Sequence, residues 1–144
     1  MLRSLAQTED LARRIAPALR VGDTVALTGG LGAGKTTLAR AILRAMGVEG
    51  EVPSPSFTLV QEYETPAMKV VHCDLYRVAD PSELDELGID DALRDGAVLI
   101  EWPERARSSI PEDALWIGLE IAGEHERRVT VSGGDRWSFL RGSR

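Results

Sequence analysis

The organisation of this chain follows from one octapeptide, Gly29-Gly30-Leu31-Gly32-Ala33-Gly34-Lys35-Thr36. Its residues match the spacing G-x-x-x-x-G-K-[ST], the Walker A motif of a phosphate-binding loop, or P-loop. Glycine lets successive backbone N–H groups turn toward phosphate oxygens, and the helix that follows adds the partial positive charge of its N-terminus. The motif predicts a nucleoside triphosphate site, with Lys35 at the β- and γ-phosphates and the Thr36 hydroxyl as a ligand of Mg²⁺.

The residues on either side of the loop predict a strand and a helix. Thr24 to Thr28 is a short, apolar, β-branched run that favours a buried strand, and Thr37 to Met46 carries apolar residues at helical spacing. Gly47 is placed to end that helix. We therefore predict a strand–loop–helix unit whose nucleotide contacts are Gly30, Leu31, Gly32, Ala33, Gly34, Lys35, Thr36 and Thr37.

Composition limits the remaining possibilities. A length of 144 residues fits a single domain, 1–144, with no room for a second catalytic domain. The 17 basic residues are scattered and outnumbered by 23 acidic ones, so any involvement of RNA is predicted to be indirect. No apolar run of about 18 residues and no export signal occur, and Cys73 is the one cysteine. These features predict a cytosolic protein that does not enter a membrane; they predict no oligomeric state.

Two further predicted strands each end in an acid. Met68 to Asp74 and Ala97 to Glu101 are apolar runs of strand length, and ligands of parallel α/β sheets collect at the carboxyl ends of strands. Asp74 is therefore a candidate site residue. Glu101 matches the strand-ending carboxylate that completes Mg²⁺ coordination opposite a P-loop.

The remaining segments are predicted mainly as structural elements. An amphipathic helix is expected to begin with Thr8 as its N-cap and to end near Pro17. A capped helical pattern occupies Asp80 to Leu87 and a second short helical pattern lies around Asp90 to Arg94, and alternating residues from Leu115 predict a β-hairpin. A loop near Ser54 to Thr58 follows the P-loop helix, where nucleotide switches place a γ-phosphate sensor.

His72 is expected to be a packing or surface residue, whereas Trp102 has comparable support as a site residue and as a packing residue.

The base is predicted to be adenine rather than guanine. Guanine-specific P-loop proteins use an [NT]-K-x-D motif, but this sequence contains no asparagine, and neither of its lysines is followed two residues later by aspartate. ATP is therefore the expected nucleotide.

Together these motifs resemble the TsaE (YjeE) family, small bacterial ATPases required for threonylcarbamoyl modification of tRNA. The resemblance rests on five ordered segments: Gly30 to Thr37, Ser54 to Val60, His72-x-Asp74-x-Tyr76-Arg77, Glu83-Leu84-x-x-x-Gly88 and Ile100-Glu101-Trp102-Pro103-Glu104. It implies an α/β, P-loop NTPase-like three-layer fold with a mixed central sheet and a C-terminal β-hairpin. It also implies ATP and Mg²⁺ as cofactors, and TsaB and TsaD as partners.

The resemblance assigns roles to individual residues as well. Thr36 and Glu101 would hold Mg²⁺, Asp74 would help to orient the reacting centre, and Ser56 would supply the hydroxyl of a switch loop. The family usually has threonine where this chain has Ser56, so the hydroxyl is kept and the methyl group is lost. Thr8 would lie beside the adenine.

Two other functions remain open at this point. A small-molecule kinase also needs a P-loop, but it would want a lid and an acceptor pocket that this length scarcely accommodates. A nucleotide-binding adaptor without significant hydrolysis is distinguished from a partner-stimulated ATPase only by measurement of turnover.

Overall fold

The computed structural model describes residues 2–30, 32–50, 60–76, 88–104 and 110–141. Three of the predictions made above therefore lie outside the described residues: the nucleotide contact Leu31, the switch-loop residue Ser56 and the helix at 80–87; Arg77 of the family motif lies outside them as well. The assignment of all 144 residues to one domain also stays a prediction.

Helices and strands alternate along most of the described chain. The helices are α1 (Leu5–Ile15), α2 (Lys35–Ala45), α3 (Ile89–Asp95) and α4 (Ser138–Arg141), with 3₁₀ turns at Ala16–Ala18 and Asp135–Trp137. The strands are β1 (Thr24–Thr28), β2 (Val60–Glu64), β3 (Lys69–Asp74), β4 (Gly96–Glu101), β5 (Leu115–Ile121) and β6 (Arg127–Ser132). The predicted strand of the P-loop unit is confirmed as β1, at its predicted bounds. The two predicted strands that end in an acid are confirmed as β3 and β4.

The six strands form one mixed sheet in the order β2-β3-β4-β1-β5-β6. The central pairs β3·β4, β4·β1 and β1·β5 are parallel, whereas β2 and β6 each run antiparallel to their neighbour at the edges. Strands β5 and β6 are the predicted C-terminal hairpin. The observed sheet is the mixed one that the family resemblance implied.

Helices cover both faces of this sheet. On one face, α1 and α2 pack over the apolar side chains of β1 and β5, with Leu38, Ile42 and Leu43 of α2 fully buried. On the other, Ile89, Ala92 and Leu93 of α3 pack against β3 and β4. Each fully buried leucine or isoleucine contributes roughly 1.5–3 kcal/mol of apolar stabilisation, so these contacts hold the strands in register. The result is a three-layer α/β fold of the P-loop NTPase type.

The start of α1 differs from its prediction. Ser4, not Thr8, is the N-cap: Ser4 Oγ accepts the backbone N–H of Gln7 at 3.2 Å, and Thr8 lies one turn inside the helix. The prediction was wrong because Ser4-x-x-Gln7 is itself a capping sequence that starts the helix earlier. The end of α1 agrees with expectation, since Pro17 lies in the 3₁₀ turn that follows it. Within the described ranges, no helix is long and apolar enough to cross a membrane.

Candidate functional site

The P-loop joins β1 to α2 in a backbone shape that needs glycine. Gly29 has φ +142°, and a Cβ added there would lie 2.4 Å from the carbonyl oxygen of Leu119 on β5. Gly34 has φ +104° and immediately precedes α2. Side chains rarely adopt such positive φ values, so these two motif glycines determine how the loop turns into the helix. The N–H groups at the start of α2 then face the loop.

Lys35, the first residue of α2, folds its side chain back over the loop. Its Nζ donates hydrogen bonds to the carbonyl oxygens of Gly29 and Gly30, the latter at 3.0 Å, and lies 3.9 Å from the ring centroid of Trp102. Burial lowers the pKa of Lys35, while the charges of Glu101, Glu104 and Asp74 oppose that shift. The ammonium group is held at the mouth of the loop, where phosphate oxygens can take the place of the two carbonyls.

The two strand-ending acids lie side by side next to this lysine. Strands β3 and β4 are parallel, and their register sets Asp74 opposite Glu101, while Glu101 also faces Leu27 of β1. Asp74 is 7% exposed and Glu101 is 2% exposed. The backbone N–H of Tyr76 donates to Asp74 Oδ1 at 2.9 Å, which orients that carboxylate. The structure thus brings together the two acids that the strand patterns singled out separately.

The predicted pair of metal ligands is in direct contact. Thr36 Oγ1 donates a hydrogen bond to Glu101 Oε1 at 2.7 Å, across 65 positions of sequence. In the described part of the chain, no three or more His, Cys, Asp or Glu side chains are grouped so that they could hold a metal ion. Mg²⁺ is usually bound by one or two carboxylate or hydroxyl oxygens together with substrate phosphates and waters. The hard oxygen donors of Thr36 and Glu101 therefore fit Mg²⁺ that arrives with a nucleotide.

Two aromatic side chains border the acids and the lysine. Trp102 follows Glu101 directly and has φ +61°, an uncommon value for a bulky residue. Its ring lies 4.8 Å, centroid to centroid, from that of Tyr76. Trp102 is therefore a neighbour of the phosphate site, because it contacts Lys35 as well as Tyr76.

His72 is buried, but it is more than a packing residue. Its side chain is fully buried on β3, and Nε2 lies 2.7 Å from Glu101 Oε2. The neighbouring Cys73 points to the other face of the strand, where it packs with Val71 and Ile100. Burial and the nearby charge of Asp74 raise the pKa of Cys73 to about 12. Sequence reasoning missed the His72 contact; the one available signal was its place two residues before Asp74, which puts both on one face of a strand.

A cavity of about 250 Å³ lies beside the loop, between α1 and the β5–β6 hairpin. It is lined by Leu2, Ser4, Leu5, Thr8, Ala33, Gly34, Thr37, Leu119, Glu124, His125 and Arg127. Thr8 and Thr37, which lie far apart in sequence, therefore border the same space. The cavity opens beside Gly34, the last glycine of the P-loop.

Arg127, in the wall of that cavity, ties the hairpin to the loop. Its guanidinium donates to the carbonyl oxygens of Ala33 at 3.1 Å and Gly32 at 3.4 Å, and to those of Gly123 and Glu126 in the hairpin turn. Its backbone pairs with Leu2 through two hydrogen bonds of 2.7 Å. Sequence reasoning gave no role to this residue, because 94 positions separate it from Ala33.

Comparison with known proteins identifies the family. Residues 2–129 match the family model described as "Threonylcarbamoyl adenosine biosynthesis protein TsaE". The chain belongs to the TsaE family.

Individual TsaE proteins are similar over nearly their full length. A relative from Streptomyces coelicolor is 38% identical over 137 residues, covering 90% of this chain and 93% of that protein. One from Bacillus subtilis is 35% identical over 136 residues, covering 93% and 85%. Each is named tRNA threonylcarbamoyladenosine biosynthesis protein TsaE. The crystal structure of Bacillus subtilis YdiB has a TM-score of 0.78 and 29% identity, covering 96% of this chain and 87% of that one. The resemblance to the TsaE family is therefore confirmed.

Within this TsaE-family fold, the predicted site residues divide into three groups. Lys35, Thr36, Asp74 and Glu101 lie together at the carboxyl ends of β1, β3 and β4. Thr8, Ala33, Gly34 and Thr37 lie at the neighbouring cavity, beside Gly30 and Gly32 of the same loop. Leu31 and Ser56 are outside the described residues, so their predicted roles stay predictions.

Proposed function

We propose that this chain binds and hydrolyses ATP with Mg²⁺, and that it supports threonylcarbamoyladenosine modification of tRNA together with TsaB and TsaD. The observation that carries the ATPase proposal is the 2.7 Å hydrogen bond from Thr36 to Glu101, beside the Lys35 ammonium group. A hydroxyl, a carboxylate and a lysine in this arrangement are the parts with which P-loop NTPases hold Mg²⁺ and the terminal phosphates.

Each residue of the proposed site has a distinct task. Lys35 exchanges its bonds to the loop carbonyls for bonds to the β- and γ-phosphates, and Thr36 and Glu101 hold Mg²⁺. The metal would neutralise the charge that develops on the transferring phosphoryl group. Asp74, which faces Glu101 across two paired strands, orients the attacking water. Buried carboxylates are suited to these roles because their orientation is fixed before the reaction begins.

The cavity between α1 and the hairpin supports a place for the adenosine. It adjoins Gly34 and has both apolar and hydroxyl-bearing residues in its walls. Most ligand pockets combine apolar walls with a few oriented polar groups. We therefore extend the proposal to this cavity, with Thr8 and Thr37 beside the nucleoside. For Thr8 this is the role that the family resemblance implied, although it does not cap the helix.

A role for partners follows from what the chain itself supplies. P-loop enzymes reach full rate when a positively charged group and a positioned water complete the site, often in trans, with gains of about 10³ to 10⁵. We propose that TsaB and TsaD complete the site of this chain, which alone turns over slowly. Contact with tRNA would be indirect, because acidic residues outnumber basic ones by 23 to 17.

The test is ATP turnover by the pure chain with and without the TsaB–TsaD pair, alongside threonylcarbamoyl incorporation into tRNA. We expect slow, Mg²⁺-dependent ADP release that rises when the pair is added. A Glu101→Gln variant is the control for a contaminating ATPase. ADP formation without any added acceptor separates this function from that of a small-molecule kinase, and measurable turnover separates it from that of a passive adaptor. Fast turnover that ignores the partners, with tRNA modification unchanged when the chain is omitted, would overturn the proposal.

A further inference from the structure

His72 and Thr36 each contact a different oxygen of the Glu101 carboxylate. Thr36 Oγ1 lies 2.7 Å from Glu101 Oε1, and His72 Nε2 lies 2.7 Å from Glu101 Oε2. A glutamate side chain has several rotatable bonds, and one contact would leave its carboxylate free to turn. Two contacts, one at each oxygen, fix the plane of the group.

The geometry of β3 and β4 explains why His72 can reach Glu101. His72 and Asp74 lie on the same side of β3, and Glu101 lies on the neighbouring parallel strand in register with Asp74. His72 therefore reaches Glu101 diagonally, from the interior of the sheet. Thr36 reaches the other oxygen of Glu101 from the first turn of α2.

The complete burial of His72 supports a role for its contact with Glu101. The side chain has no exposed surface, and among the described residues its Nδ1 has no hydrogen-bond partner. A buried polar atom without a partner costs roughly 1–3 kcal/mol, which an apolar residue at this position would avoid. A donor hydrogen at Nε2, facing the carboxylate, is the one polar interaction that the ring makes there.

We propose that His72 is a positioning residue for the metal site. Through Nε2 it holds Glu101 so that Oε1 is presented to Thr36 and to the Mg²⁺ of a bound nucleotide. This inference rests on the proposed Mg²⁺–ATP function and adds a residue to it. Groups that orient metal ligands in this way typically change metal affinity by about 10- to 100-fold when they are removed.

A matched pair of substitutions isolates the role of Nε2. In His72→Gln, the side-chain amide nitrogen stands as many bonds from the backbone as Nε2 does, so it can still donate to Glu101. In His72→Asn, the amide nitrogen takes the place of Nδ1 and cannot reach. His72→Leu, which fills the space without any donor, is a second variant without the contact in case the asparagine variant does not fold. Thermal unfolding establishes which variants are folded.

The primary measurement is Mn²⁺ binding to the ADP-bound protein, followed by electron paramagnetic resonance. We expect the Asn and Leu variants to bind Mn²⁺ about 10- to 100-fold more weakly than the parent, and the Gln variant to stay within about 3-fold of it. In turnover assays, the Asn and Leu variants should lose kcat more than they change the KM for ATP.

The outcomes are distinguishable from failure of the proposed function. If the parent binds no metal with nucleotide, the Mg²⁺–ATP proposal itself fails. If the parent binds metal and a folded Asn or Leu variant binds it equally well, only the role of His72 is overturned. It is overturned also if the folded Gln variant is as weak as the Asn variant, because the ring's packing rather than its donor would then matter.

Discussion

The ammonium group of Lys35 donates hydrogen bonds to two carbonyl oxygens of the loop, those of Gly29 and Gly30. Lys35→Met keeps the alkyl stem but removes the charge, so the core strand and α2 should remain intact. A charge-assisted hydrogen bond contributes about 1.5–3 kcal/mol, and we expect ATP affinity to fall by roughly 10- to 100-fold. Isothermal titration calorimetry measures this directly. An unchanged affinity would mean that the loop does not bind phosphates.

Glu101 and Asp74 should matter for turnover more than for binding. Charge on the phosphoryl group develops in the transition state, so groups that hold Mg²⁺ or orient water act mainly there. Glu101→Gln preserves the shape and an acceptor for Thr36, and it avoids stranding the buried His72 as alanine would. Asp74→Asn does the same for the N–H of Tyr76. We expect kcat to fall at least about 100-fold in each variant.

Nucleotide affinity is the comparison that decides this prediction. It should change by less than about 10-fold while kcat falls much further. Equal losses of affinity and rate, or full turnover in both variants, would contradict the assigned roles.

At the level of single residues, sequence reasoning worked where a motif fixes the spacing. The Walker A spacing singled out Lys35 and Thr36, and the end of a strand singled out Glu101; the structure places these residues together, while their roles stay predictions. It failed for His72 because nothing local shows that its ring meets a carboxylate 29 positions away. Arg127 was missed for the same reason, since its bond to Ala33 joins residues from opposite ends of the sequence.

Between elements, the entry to β1 is joined to the C-terminal helical turn by an ion pair. Arg136 donates to both oxygens of Asp23 at 2.6 Å and to the carbonyl of Ala18, and its guanidinium lies 4.3 Å from the ring centroid of Trp137. The Asp23 side chain is 8% exposed and that of Arg136 is 28% exposed. Breaking this pair would leave a largely buried carboxylate whose one remaining donor, among the residues that the structure describes, is the N–H of Arg20.

We expect Arg136→Met to lower the free energy of unfolding by roughly 1–3 kcal/mol. The matched control is Arg13→Met, which removes an ion pair with Asp10 whose side chains are 61% and 69% exposed. Such surface pairs contribute about 0–1 kcal/mol. Urea denaturation of both variants gives the two values. Equal effects would show that the Asp23 pair does not anchor the C-terminal turn.

Element boundaries were predictable to the extent that local signals set them. The strand β1 was predicted at its exact bounds from an apolar run, and α3 within one residue at each end. The helix α1 was placed too late, because two hydroxyl residues precede its apolar face and the earlier one is the cap. The helix α4 and the burial of Trp137 were not predicted, since their packing depends on contacts with distant segments.

For the whole molecule, the mixed sheet was implied by the family resemblance and agreed with the predicted C-terminal hairpin, whereas the P-loop by itself suggests an all-parallel sheet. The parallel centre aligns the ends of β1, β3 and β4. The antiparallel edge strand β6 then brings Arg127 and the residue Leu2 to the side of the loop. A site of this kind is assembled by topology, so its parts are recognisable in the sequence while their contacts are not.

The full burial of Cys73 makes the chain's one thiol a chemical reporter of opening of the fold around β3. Burial raises the pKa of Cys73 to about 12, so the thiol of the folded protein stays protonated near neutral pH and should resist alkylation. An unfolded thiol ionises near pH 8.5, so modification should proceed through opened molecules. A maleimide added in denaturant, where labelling should be rapid, is the control; rapid labelling of the native protein would contradict the burial.

Cys73 lies on β3 between His72 and Asp74, so an opening that pulls β3 out of the sheet would expose the thiol and dismantle the phosphate site together. A nucleotide that binds the closed form alone should slow alkylation by the factor one plus its concentration over its Kd, about 100-fold at 100 times the Kd. The rate of a simple thiol reaction would then report ligand affinity even in variants that have lost all turnover.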